Sequence, residues 1–207
     1  MKKFELTAEF VTNIFGKKLF RIKALVAFGD VEKGELGGFI EKEDNLSHDG
    51  NAWVSGDAWV SGNARVSGNA WVSGNARVSG NAWVYGNAWV YGNAWVYGNA
   101  AVSGDAAVYG NAWVSGDAWV YGNAAVSGDA WVSGDADYAV IKGFGRYFRA
   151  TTFFRCKDKI LRVQCGCFYG DLAQFRKIVK ETHGDSKRAK EYLTIADLME
   201  LHFAEEA

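Results

Sequence analysis

The residues able to act as bases, nucleophiles or metal ligands in this 207-residue chain are few and scattered. Its histidines are His48, His183 and His202. A general base has to come within hydrogen-bond reach of the proton it removes. Only His48 lies beside the central repeats in sequence, which makes it the one catalytic candidate. Cys156, Cys165 and Cys167 supply three thiols with His183 downstream, yet their spacing matches no common zinc pattern. Positions 165 and 167 alternate, which puts two small apolar thiols on one buried face of a strand. The run GELGG at Gly34–Gly38 follows neither GxGxxG nor GxxxxGK spacing and reads as a turn. Asn and Asp recur every six residues from Asn51 to Asp135, too poor in carboxylates for calcium but suited to ladders at a stacked corner. No metal or cofactor is expected. Aromatic rings are the chain's real concentration of chemistry, with nine tryptophans, all between Trp53 and Trp131.

Those rings ride on a repeat. From Gly50 to Ser133 the chain reads GNAWVS, GDAWVS, GNARVS and onward, fourteen hexads in one register. Such self-similarity marks a parallel β-helix, in which no short strand can bury its inner face except by stacking on the next coil. Ala, the variable residue, Val and Ser or Tyr form a four-residue strand. Alternation along it sends Ala52 and Val54 inward, Trp53 and Ser55 outward. Gly56 and Asp57 tolerate φ > 0 and turn the corner.

This pattern, an aliphatic residue followed four positions later by a small one (Val54 and Ala58, Val60 and Ala64, through Val126 and Ala130), resembles the hexapeptide-repeat left-handed β-helix superfamily. The resemblance implies a mainly-β fold, a left-handed triangular solenoid with three hexads per coil. Fourteen hexads then give a rod roughly 20 Å long. Residues eighteen apart stack, so one outer face carries Trp53, Trp71, Trp89, Ala107 and Ala125. The second carries Trp59, Arg77, Trp95, Trp113 and Trp131, and the third Arg65, Trp83, Ala101 and Trp119. Beside them run Tyr91 and Tyr109, then Tyr97, then Tyr85 and Tyr121. Arg77 falls between Trp59 and Trp95 in a cation–π arrangement, and Arg65 sits under Trp83 in the same way. The late alanines remove bulk, which predicts a groove for the C-terminal helices or for a second subunit.

Terminal modules flank the 50–137 solenoid. In residues 1–49 the alternation of Phe4–Phe10, a turn at Gly16 and the run Leu19–Phe28 read as a β-hairpin. An open solenoid end exposes unpaired backbone, so this module is the expected cap. In residues 138–207, Tyr138–Ile141 completes a last strand, and TTFFRC and ILRVQCGCF form a hairpin. Two helices follow. The first is capped by Asp171 with Gln174, buries Leu172, Phe175, Ile178 and Val179, and stops at Gly184. The second runs from about Ser186 and buries Ala189, Tyr192, Leu193, Ala196 and Met199. The module reads ββαα and either caps the rod or folds back along it.

The lead segment FGDVEKGELGGFIEKEDNLS, with ATTFFRCKD and CGCFYG, is similar to a family of hexapeptide-repeat proteins of bacteriophages and bacterial genomes labelled transferases. Relatives in the superfamily are often trimers, and its acyltransferases place a histidine base between subunits beside a loop for the acyl donor. Neither feature occurs within these coils, nor do the coil-edge histidines of the zinc carbonic anhydrases. Net charge is −1, with Lys and Arg against Asp and Glu at 8 to 9, 2 to 6 and 13 to 9 in the three segments. This modest asymmetry predicts no generic nucleic-acid binding. No apolar run is long enough for a membrane span, and an odd cysteine count fits a cytoplasm, the host's if the chain is phage-encoded. The expected function is therefore non-catalytic. The Trp and Tyr faces would form a dimer or trimer contact, or bind a bacterial protein or small nucleotide. The alternative is an acyl- or nucleotidyl-type transferase with His48 as base at a subunit interface.

Overall fold

A computed structural model of the protein describes residues 1–204. β1 (Phe4–Thr12) and β2 (Lys18–Ala24) form the expected antiparallel hairpin, followed by β3 (Leu36–Ile40). The hexads supply fourteen strands, β4 (Trp53–Val54) to β17 (Trp131–Val132), each of two residues. They are shorter than the four residues expected because a six-residue side must also make its corner. Each pairs in parallel with strands eighteen residues away, giving three sheets, one per side of the coil. Trp53 lies opposite Trp71, Trp95 opposite Arg77 and Trp113, and Ala101 opposite Trp83 and Trp119, as the period requires. The Ala and Val columns fill the bore and are buried. Each enclosed Val contributes roughly 1.5 kcal/mol or more.

At the corners glycine alone takes the left-handed conformation, with φ between 59° and 73° from Gly50 to Gly128. Proximity demands glycine as well: a Cβ on Gly86 would lie 2.9 Å from the amide nitrogen of Gly104. The following Asn and Asp do not take positive φ. Their side chains instead form ladders, such as Asn63 to Asn81 (3.3 Å), Asn81 to Asn99 (3.0 Å) and Asn99 to Asp117 (2.9 Å). A second ladder runs from Asn75 through Asn93 and Asn111 to Asp129. In the remaining column Asp105 accepts from both Asn87 and Asn123. A carboxylate only accepts, so it suits the place where a run of amide donors ends.

The coils also have a direction. Trp59 N–H donates to Ala76 O, Ser61 to Val78 and Asn63 to Gly80, each into the next coil. At these positions the first coil is left with bare carbonyls and the last with bare N–H groups. Donors meet the carbonyls at the N-terminal end. β3 joins the sheet in parallel and gives Phe39 N–H to Ala58 O and Glu41 N–H to Val60 O. Buried Asn45 Nδ2 donates to Gly62 O and Ala64 O, and Lys3 Nζ donates to Gly50 O and Ala52 O. Acceptors meet the N–H groups at the other end, where Asp135 takes Trp119 N–H, Asp137 takes Ser133 N–H and Thr152 Oγ1 takes Ala125 N–H. Unpaired buried backbone groups are costly, so each cap carries the chemistry its end lacks.

The C-terminal module departs from the ββαα expectation. Tyr138–Ile141 does not complete the solenoid; as β18 it pairs antiparallel with β19 (Thr151–Arg155). β20 (Leu161–Cys165) and an additional strand, β21 (Phe168–Asp171), complete a four-stranded sheet. Alternation makes this sheet a lid, with Phe154 facing the solenoid core and Phe153 facing two helices on the other side. These are α1 (Leu172–His183) and α2 (Lys187–His202). Asp171 and Gln174 form the expected capping box, and Ser186 caps α2. Phe175 and Val179 are buried, but Leu172 is only half-buried and Ile178 is exposed, so the covered face is narrower than the one predicted.

Candidate binding faces

With the register fixed, each outward residue can be placed. Trp83, Trp89, Trp95, Trp119 and Trp131 are exposed, by 36% to 57%, and Trp59, Trp71 and Trp113 are half-buried. Trp53 corrects the expectation that every indole faces solvent. It leaves the coil outward but is fully buried, because β2, β3 and the loop between them lie over it and Phe28 meets it edge-on at 5.4 Å. Its Nε1 has no partner. The capping module had no repeat from which its path could be read.

The three faces differ in continuity. On the second, Trp95 and Trp113 stack at 5.3 Å and 12°, and Trp131 meets Trp113 at 6.3 Å. Arg77 lies over Trp59 at 4.5 Å and Trp95 at 5.1 Å, as the spacing predicts. Tyr97 meets Trp113 edge-on, and Lys157 from the lid covers that indole at 3.9 Å. Beside this column the hairpin tip projects Ile14 and Phe15, exposed by 91% and 81%. They line one groove of about 430 Å³ with Trp59, Arg77 and Trp95.

Alanine interrupts the other faces. On the third, Trp119 leans back over Ala101 and donates from Nε1 to Ser103 Oγ at 2.8 Å, and Trp71 does the same to Ser55 on the first face. Where a hexad ends in Tyr, that ring packs on the Trp two residues before it, Tyr85 on Trp83 and Tyr121 on Trp119. Tyr91 and Tyr109 stack at 4.9 Å with 1° between planes. Burial and the neighbouring Tyr109 phenol push the Tyr91 hydroxyl above its ordinary range. Arg65 pairs in register with Trp83, but no cation–π contact joins them among the described residues. The alanine positions receive no helix. Thr152 of the lid meets the Ala125 backbone, while both helices pack against the far side of the sheet.

His48 is held at the rod's first corner. Its ring stacks on Phe4 at 4.3 Å, and its Nδ1 accepts the Lys3 N–H. That acceptor role leaves the neutral ring's proton on Nε2, which faces Glu43 at 3.9 Å. Neither nitrogen is an open acceptor. Among the cysteines only Cys156 is buried, and desolvation pushes its thiol up to about 11. Cys165 is half-buried, while Cys167 lies exposed in the turn after β20, correcting the expectation of a shared buried face. No cluster with metal-ligand geometry occurs among the described residues. No helix there is long and apolar enough to cross a membrane.

Stacked six-residue repeats with aromatic outer columns and chemically matched caps define a β-solenoid repeat protein. The sequence profile of the YdcK beta solenoid repeat family matches it at residues 58–74, 72–86, 82–98 and 118–134, all inside the coils. A search of the curated proteins finds no match.

Proposed function

We propose that the protein is a non-catalytic binding solenoid that self-associates through the face bearing Trp59, Arg77, Trp95, Trp113 and Trp131. The observation that carries this reading is the indole column itself, continuous across three coils and continued at one end by the exposed Ile14–Phe15 tip. Monomers seldom leave contiguous apolar surface of this extent uncovered. Trp, Tyr and Arg are the residues that carry most interface energy. A second copy is the occupant with matching chemistry, since each chain offers both a groove and an apolar tip able to fill it. The transferase alternative has less support, because His48 has no open acceptor nitrogen. A left-handed coil, a phage origin, a reducing host cytoplasm and sequestration of a bacterial protein belong to the same proposal, through the lead-segment resemblance and the odd cysteine count.

Sedimentation equilibrium across a hundredfold concentration range tests it. The wild type should exceed monomer mass, and Trp95→Ala with Trp113→Ala should weaken association at least thirtyfold, as hot-spot losses of about 2 kcal/mol imply. A monomeric wild type, or an unchanged mass in the double variant, would overturn the reading.

A further inference from the structure

The C-terminal module holds an arginine cluster that the aromatic faces do not use. Arg155 pairs with Asp137, Arg162 with Asp158, and Arg176 with Asp197 and Glu200. Arg146, Arg149 and Arg188 have no carboxylate partner among the described residues, yet all three line one pocket of about 410 Å³. His183 and Tyr192 also line it, stacked on each other at 6.0 Å. The arginines arrive from different places: two from the loop between β18 and β19, one from the first turn of α2.

The loop is shaped to deliver them. Gly145 packs on the Tyr192 ring so closely that a Cβ would meet the phenol oxygen, and Gly166 leaves room for Arg149, whose Nη1 would lie 2.9 Å from a Cβ there. Between Arg146 and Arg149, Tyr147 is 63% exposed, with the two guanidiniums at 5.3 Å and 4.9 Å from its ring. Of the nearby acids, Glu191 sits 3.8 Å from Lys187. α1 ends and α2 begins beside the pocket, so their terminal dipoles oppose each other and the positive field comes from the side chains.

We infer that this pocket binds a phosphate-bearing small molecule, with Arg146, Arg149 and Arg188 as the anion clamp. Guanidinium forks match phosphate oxygens two at a time, and converging unpaired arginines over aromatic walls meet both parts of such a ligand. Once the two guanidiniums turn from Tyr147 to the phosphate, that exposed ring offers a face for a flat ring attached to it. The inference is independent of the solenoid faces.

Isothermal titration of the full chain with pyrophosphate and with ADP tests it. Saturable one-to-one binding is expected, weakened about tenfold by Arg149→Gln and again by Arg188→Gln, while Lys33→Gln, an exposed cation on the N-terminal cap, leaves it unchanged. ADP binding tighter than pyrophosphate, with the difference lost in Tyr147→Ala, identifies a nucleotide-like source; equal affinities identify the free oxyanion. Both exposed Gln variants should retain the wild-type circular dichroism spectrum. The inference is overturned if neither ligand binds saturably. It is also overturned if the double Gln variant, folded, binds as well as wild type, or if only long polyanions bind.

Discussion

Asn99→Asp tests whether the corner ladders stabilise the rod. In the wild type Asn99 accepts from Asn81 and donates to Asp117 at 2.9 Å. The substitution keeps the first bond and replaces the second with two facing carboxylates. Two unit charges at about 4 Å repel by about 1 kcal/mol in bulk water and about 4 kcal/mol at an effective dielectric of 20. Both side chains are exposed, so the lower figure applies. Loss of the hydrogen bond adds about 0.5 to 1 kcal/mol. Urea unfolding at pH 7 should show a total loss of about 1.5 to 2 kcal/mol. Repulsion raises the folded-state affinity of the pair for protons above that of the unfolded chain, so the deficit should shrink as pH falls from about 6 to 4. Salt at 1 M should shrink it too. Adding Asp117→Asn rebuilds the arrangement found around Asp105, a carboxylate accepting from the amides above and below. The double variant should return to within about 0.5 kcal/mol of wild type. If Asn99→Asp costs nothing, or if Asp117→Asn fails to rescue it, the ladders are not the stabilising contacts argued above.

Two further outcomes concern the N-terminal cap. Trp53→Ala should cost about 3 to 5 kcal/mol in the same assay, whereas Trp53→Phe should cost less than about 1 kcal/mol because it also removes the indole donor that has no partner. Desolvation lowers the Lys3 amine from 10.5 to about 8, with Asp49 opposing that shift. Between these values the unfolded chain holds the proton that the folded chain has released, so Lys3 should make stability rise with pH across about 8 to 10.5. The difference between wild type and Lys3→Met should follow that rise, on the order of 2 to 3 kcal/mol; a flat difference would show that Lys3 stays charged when folded.

The coils were legible because their period is invariant: Trp95 between Arg77 and Trp113, Arg77 stacked on two indoles, and the Asn ladders all follow from counting in eighteens. What counting could not supply is set by non-repeating contacts. Trp53 looks like every other tryptophan until the path of residues 25–40 is known, and Leu36–Ile40 looks like a linker until its amides meet the first coil. Tyr138–Ile141 continues the apolar pattern, yet it pairs with Thr151–Arg155, because alternating Phe153 and Phe154 need a sheet with two covered faces. The arginine pocket had a signal in the run GFGRYFR, but Arg188 lies some forty residues on, and only the packing of α2, through Tyr192, on the sheet and on Gly145 brings it near.

Because each cap meets its terminal coil through backbone groups that recur in every coil, the length of this protein is adjustable. Excising or inserting one complete eighteen-residue turn presents each cap with the same backbone it already recognises, and changes the span by about 4.8 Å. A six-residue change would do something else: it would swing the lid, with its arginines, one third of a turn around the axis relative to the hairpin tip. Gene-level gain or loss of repeats would therefore set both spacing and angle between the two ends in discrete steps, as in a ruler with three bearings.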